Sequence, residues 1–194
     1  MLSETTRNVR RALVRNGIKP ASPLRVMASG RTVTDGCSLV AKLEHLPHRS
    51  AAYVADLEEF QRVGVPAEQL LLDRPLQIDD RWATVVGYVH AVEPTHARHA
   101  EAVGRLLRQI HDLVWPYAEP RAQGEVYCPD DWRPENIIIS ATGPVMIDLD
   151  LAGAWPRARA VRGAIDDFAA PLGQRHLIEA ALLRGYGTHP DLAQ

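Results

Sequence analysis

Lysine is nearly absent from this chain. Of 22 Lys and Arg residues, only Lys19 and Lys42 are lysines. The bias is of the kind a GC-rich coding sequence gives, and it makes a lysine retained in an apolar strand conspicuous. Cysteine is as scarce: Cys37 and Cys128 give no disulfide framework and no zinc-ligand spacing, so cytoplasmic residence is the expectation. No apolar run approaches the roughly 20 residues needed to cross a bilayer. The opening stretch MLSETTRNVRRALVRNG reads as an amphipathic helix and lacks the apolar core of a secretion signal. A formal charge of −2 leaves no overall attraction to nucleic acid or an anionic membrane, so neither is an expected partner. Repeats and low-complexity segments are missing too, which excludes solenoids and disordered arrays.

What is present is an ordinary globular balance, 46% apolar and 24% charged over 194 residues, enough for a real core. Residues 3–17 carry Val9, Leu13 and Val14 at helical spacing. Short strands follow in PLRVMASG, RTVTDG and CSLVAKLEH, with turns at Ser29-Gly30 and Asp35-Gly36. A helix is expected over 49–63, then strands at 69–73 and 82–90. Beyond Pro94 the pattern turns helical. Residues 96–114 place Ala100, Val103, Leu106, Leu107 and Ile110 on one face, and 174–186 form a last helix. The boundary falls near 90–95, giving a β-rich residue 1–92 portion and an α-rich 93–194 portion.

Two later segments concentrate chemistry. YCPDDWRPENIIIS (127–140) sets Asp131, Arg133, Glu135 and Asn136 directly before a β-branched strand, and VMIDLDLAG ends a second strand at Asp148 and Asp150. A polar turn entering a buried strand is the plain explanation. Two adjacent strands with oxygen-bearing side chains at one end can instead hold a hard metal ion.

This order of elements resembles the protein-kinase architecture, and specifically the aminoglycoside and choline phosphotransferase branch. Asp131 and Asn136 match the D-x-x-x-x-N part of that family's loop, and Asp148 follows by twelve residues. GRLLRQIH at 104–111 and FQRVGVPAEQLL resemble flanking family segments. The resemblance implies an α+β two-lobe fold: a small antiparallel sheet plus one helix forming a nucleotide-binding lobe (1–92), then a mostly helical, shortened catalytic lobe (93–194). It implies ATP and Mg as cofactors and γ-phosphate transfer to the hydroxyl of a small molecule. In that reading Asp131 is the base, Asn136 and Asp148 hold Mg, Lys42 grips the α- and β-phosphates, and the backbone of Gly87, Tyr88 and Val89 receives the purine. An outward-facing strand residue is the plain alternative for Lys42, and a turn and cap pair for Asp131 and Asn136.

The sequence departs from the family pattern at three places. Pro129 stands where the family has His, and Tyr53 where its helix supplies an acid to the strand lysine. Asp56, Glu58 and Glu59 are the nearby replacements. No G-x-G-x-x-G is present, leaving Ser29-Gly30 and Gly36 to cover phosphates. These departures, with about 45 residues after Asp148, keep two other readings open. One is a pseudokinase or nucleotide-binding partner protein without turnover, the other a kinase for a biosynthetic peptide Ser or Thr. A protein partner completing the acceptor site belongs with the former. Among remaining candidates, Asp150 reads as a second carboxylate or a solvated strand end. His90, His96 and His99 read as surface residues, and His111 as a helix-end packing group. Trp115, Trp132 and Trp155 read as core or rim fillers. Arg157, Arg159 and Arg162 form a basic patch able to steer an anionic acceptor. The stretch from Asp166 to Ala169 resembles a family D-L-A segment or marks a helix N-terminus.

Overall fold

Ser3 starts the first helix by accepting the Thr6 amide on its Oγ at 3.2 Å, and α1 runs Glu4–Arg15. Capping of this kind contributes about 1 kcal/mol. The structure is a computed structural model that describes residues 3–113, 124–129, 131–149 and 153–188. The chain divides into two compact units: Met1–Gln61 with Glu68–Val89, and Arg62–Ala67 with His90–Gln194.

In the first unit, β1 (Arg25–Val26), β2 (Thr32–Thr34), β3 (Leu39–Glu44), β4 (Leu76–Ile78) and β5 (Arg81–Gly87) form one antiparallel sheet in the order β1-β2-β3-β5-β4. Alternation along β3 sends Leu39, Ala41 and Leu43 to one face, where Val33, Ala83, Val85 and Ile78 join Val9 and Leu13 of α1 in an apolar core. Val40, Lys42 and Glu44 take the other face. There α2 (Pro47–Val63) buries Tyr53, Val54, Leu57 and Phe60, and Thr84 Oγ1 donates to the Ser50 carbonyl at 3.4 Å. The strand expected at 69–73 is only an isolated bridge, Leu70 to Val86. The edge strand β4 lies later, turned into β5 at Asp79, whose φ is 56°. Short polar-flanked apolar runs of this length carry little register information on their own.

The second unit is mostly helical, with two small β ribbons. A 3-10 turn (Ala97–His99) leads into α3 (Ala100–His111), which buries Ala100, Val103, Leu106, Leu107 and Ile110 as the periodicity required. It packs along α5 (Arg175–Tyr186). The two backbones approach so closely that a Cβ at Gly104 would strike the Leu182 carbonyl, and one at Gly185 the Glu101 carbonyl. Strands β6 (Glu125–Cys128) and β9 (Gly153–Pro156) pair with each other, as do β7 (Ile137–Ser140) and β8 (Gly143–Met146). Helix α4 (Arg157–Ala169) was not foreseen as a helix. It places Asp166 and Asp167 in its C-terminal half, so the helix-N-terminus reading of those acids does not hold.

Candidate active site

Lys42 sits mid-β3 opposite Thr84, and its side chain keeps only 16% of its exposure. Its ammonium donates to the Tyr53 hydroxyl at 2.6 Å and to Glu68 Oε2 at 2.8 Å. The Tyr53 hydroxyl in turn donates to the same Glu68 oxygen, and the ammonium lies 4.7 Å from the Tyr53 ring centroid. Glu68 is buried. Glu68, from the segment after α2, is thus an acid that pairs with Lys42. Tyr53 occupies the helix position expected for an acid and carries a hydrogen bond through to Glu68. A carboxylate inside the apolar stretch VPAEQLLL was the available signal, because burial of a charge demands a partner.

The chain past β5 is partly committed. The Gly87 amide donates to the Gln69 carbonyl at 2.7 Å and the Tyr88 amide to the Ser38 carbonyl at 3.1 Å. Two of the three amides in the expected purine segment are therefore already used. Among the described residues the Val89 N–H has no hydrogen bond. Of the two turns considered for phosphate, Gly30 takes φ 71° in the β1–β2 turn and Gly36 takes φ 76° in the β2–β3 turn. The latter is organised by buried Asp35. Burial would raise its carboxyl, but hydrogen bonds from the Ser38 hydroxyl and the Ser38, Cys37 and Leu39 amides overcome this and hold it far below the usual range.

In the second unit, the loop before β7 holds Asp131 and Asn136. Arg133 grips the Asp131 carboxylate in a two-pronged pair, Nε to Oδ1 at 2.8 Å and Nη2 to Oδ2 at 2.5 Å, and its own amide donates to Oδ1 at 3.2 Å. These Arg133 contacts hold Asp131 below its ordinary value against the opposing effect of burial. Arg133 as the clamp on Asp131 was not foreseen, although its place two residues on made it reachable. Trp132 is buried and donates from Nε1 to Cys128 Sγ at 3.4 Å, and its amide donates to Asp167 Oδ2 at 3.5 Å. Trp132 and Asp167 thus buttress the loop that Pro129 enters without a histidine.

Asn136 is 8% exposed, and its side-chain amide reaches the Asp131 carbonyl at 3.4 Å. Its own carbonyl accepts the Ile147 amide at 2.8 Å, extending the β7–β8 register by one pair. Asn136 and Asp148 therefore lie at the same end of one hairpin. Asp148 adopts φ 59°, a left-handed conformation uncommon outside glycine that it shares with Asp79 and Gln174. Asp150 and Trp115 lie outside the described residues.

The other candidates are structural here. His99 is partly buried and 3.0 Å from Glu93 Oε1, and among the described residues no group of three or more His, Cys, Asp or Glu is arranged to hold a metal. His111 Nδ1 lies 2.9 Å from the Tyr186 hydroxyl. Burial raises Tyr186, which the adjacent Arg157 opposes. Arg157 turns inward to the Tyr186 hydroxyl at 2.7 Å and the His111 carbonyl, so it leaves the expected basic patch to Arg159 and Arg162.

No family model and no curated protein sequence matches the chain. Solved structures do. The choline kinase LicA from Streptococcus pneumoniae superposes with a TM-score of 0.67 at 14% identity, over 96% of this chain and 81% of that one. An aminoglycoside-3'-phosphotransferase of type VIII gives 0.68 at 16% identity, over 98% and 97%. A spectinomycin phosphotransferase in complex with ADP and spectinomycin gives 0.63 at 12% identity, over 94% and 80%. With an antiparallel sheet and helix in one unit and helices with two ribbons in the other, this chain has the α+β kinase-like fold of the choline and aminoglycoside phosphotransferases.

Proposed function

We propose that the protein is an ATP-dependent phosphotransferase that moves the γ-phosphate to a hydroxyl of a small molecule. The observation that carries this is Asp148, a strained non-glycine residue set by the β7–β8 register at the same hairpin end as buried Asn136. The structural neighbours are named as a choline kinase and as aminoglycoside and spectinomycin phosphotransferases, one structure in complex with AMP and two with ADP, and the fold they share supports the reading.

In this proposal residues 1–92 serve the nucleotide and residues 93–194 the transfer. Lys42 neutralises charge on the α- and β-phosphates, held in place by Tyr53 and Glu68. Gly87, Tyr88 and Val89 receive the purine through the Gly87 carbonyl and the Val89 N–H. Asn136 and Asp148 offer one amide oxygen and one carboxylate, hard donors of the kind magnesium takes alongside phosphate and water. Magnesium held there would neutralise charge on the phosphate oxygens.

The remaining work is positioning and proton transfer. As the acceptor oxygen bonds to the γ-phosphorus, the bond to the bridging oxygen breaks and ADP leaves with that electron pair. The acceptor proton passes to a carboxylate oxygen of Asp131. The carboxylate is ionised at neutral pH, but the Arg133 contacts that lower its pKa also weaken it as a base, so the guanidinium of Arg133 must yield one oxygen to the incoming hydroxyl.

Asp131→Asn is expected to abolish transfer while Mg·ATP still raises the melting temperature. Equal phosphorylation by wild type and variant would remove Asp131 from the role. A nucleotide-binding protein without turnover is the second reading, favoured by the Arg133 clamp on Asp131. Mg·ATP binding with no transfer across a broad acceptor panel would select it.

A further inference from the structure

The second unit contains a cavity of about 380 Å³, walled by Cys128, Pro129 and Trp132 on one side and by Trp155, Arg159 and Arg162 on another. Its first wall is the loop that carries Asp131, and its size is within the range of small-molecule sites. We propose that this cavity takes the acceptor, and that the acceptor is a hydroxyl compound bearing a carboxylate or phosphate. The proposal rests on the phosphotransferase reading and specifies its substrate class.

The hydrogen-bond donors of the wall decide the class of ligand. Asp166 and Asp167 also contribute to the wall; Asp166 is paired with Arg175, while Asp167 accepts the Trp132 amide and keeps its own charge. Arg162 shares its charge with Glu179 at 2.9 Å. Arg159 forms no ion pair among the described residues, and its guanidinium carbon sits 4.1 Å from the centre of the Trp155 ring. A guanidinium stacked on an aromatic face keeps its N–H edges for planar or tetrahedral oxyanions. It also loses less freedom on binding than an unsupported arginine. The first turn of α4 contains no acid, so the helix end adds to a positive potential there. Choline and the aminoglycosides, the acceptors named for the structural neighbours, are cations. The guanidinium of Arg159, without an ion pair among the described residues, offers N–H donors that an oxyanion can accept and a cation cannot.

The test uses four sugars that share one ring and differ in charge: glucose 6-phosphate, glucuronate, glucose and glucosamine. Binding to the full chain is measured by titration calorimetry without nucleotide. The two anionic sugars should bind about tenfold or more tightly than glucosamine, the worth of one charge-assisted hydrogen-bonded contact. Comparison of the phosphate and carboxylate arms tells which oxyanion the site prefers. Arg159→Gln should erase the difference. Failure of both anionic sugars to bind at millimolar concentration, glucosamine binding as well as they do, or a preference that survives Arg159→Gln would each overturn the assignment. Mg·ATP binding is measured in parallel on both proteins and should be unchanged by Arg159→Gln. If neither protein binds Mg·ATP while the anion preference holds, it is the phosphotransferase reading that fails and not the anion site.

Discussion

Removal of Glu68 should cost the first unit far more than removal of any exposed acid of α2. The Glu68 side chain is 4% exposed and that of Lys42 16%, with 2.8 Å between the charges. Breaking a buried pair from one side leaves an uncompensated charge and costs about 3–5 kcal/mol. Lys42 retains some solvent, so Glu68→Leu is expected at the low end, about 3 kcal/mol. Tyr53→Phe removes one hydroxyl from the same triad and should cost about 1 kcal/mol. Lys42→Met also leaves a buried charge, now the carboxylate, but the double variant Lys42→Met/Glu68→Leu removes both. Its destabilisation should fall about 2 kcal/mol short of the sum of the single changes. Urea unfolding reads all four proteins without reference to activity, with exposed Glu58→Ala as the control near zero. Additive losses, or a Glu58→Ala effect as large as that of Glu68→Leu, would refute the assignment of Glu68 as a partner of Lys42.

Three other outcomes follow from the geometry. Arg133→Ala frees the Asp131 carboxyl to rise toward its ordinary value. The acid limb of the kcat/KM profile should therefore move to higher pH. The stability that Asp131 gains from its lowered pKa is present above the unfolded value and lost as pH falls through the folded one, so wild type and variant should converge at acid pH. An unmoved acid limb would separate Asp131 from the rate. Asp148→Gly relieves a left-handed aspartate and should hold or raise stability by up to about 1 kcal/mol while abolishing transfer. A stable variant with full magnesium-dependent turnover would contradict the role given to Asp148. Gly104→Ala and Gly185→Ala should each cost about 1–3 kcal/mol or more in denaturant titration, because the added methyl meets backbone and not a flexible side chain. Neutral variants would mean that α3 and α5 lie further apart than described.

Periodic elements were legible because burial writes itself into sequence at the helical repeat. Val9 and Leu13 in α1, and the apolar face of α3, fall where their spacing puts them. The D-x-x-x-x-N loop and Asp148 were legible as a linear pattern, and a mid-strand lysine stood out in a chain that otherwise uses arginine. Pairings distant in sequence were not legible. Glu68 reaches Lys42 from 26 residues away, and the Trp132 amide meets Asp167 from 35. Neither separation has a periodic signature. Helix α4 was obscured because its first turn, Arg157-Ala158-Arg159, has neither acid nor side-chain cap, and the charged residues there suggest a solvated loop. The β4 edge strand has three residues, too few for alternation to declare it.

Lys42 and Asp148 are each proposed to support the binding of Mg·ATP, and a thermal shift with Mg·ATP reads both roles. Ligand at a hundred times its Kd stabilises the native state by about 2.7 kcal/mol, a rise of several degrees for a chain of this size. Wild type should show that rise, ATP without magnesium should give less of it, and Lys42→Ala and Asp148→Ala should each lose most of it. A wild-type protein unmoved by millimolar Mg·ATP would remove the nucleotide role, and variants that shift as far as wild type would remove Lys42 and Asp148 from it.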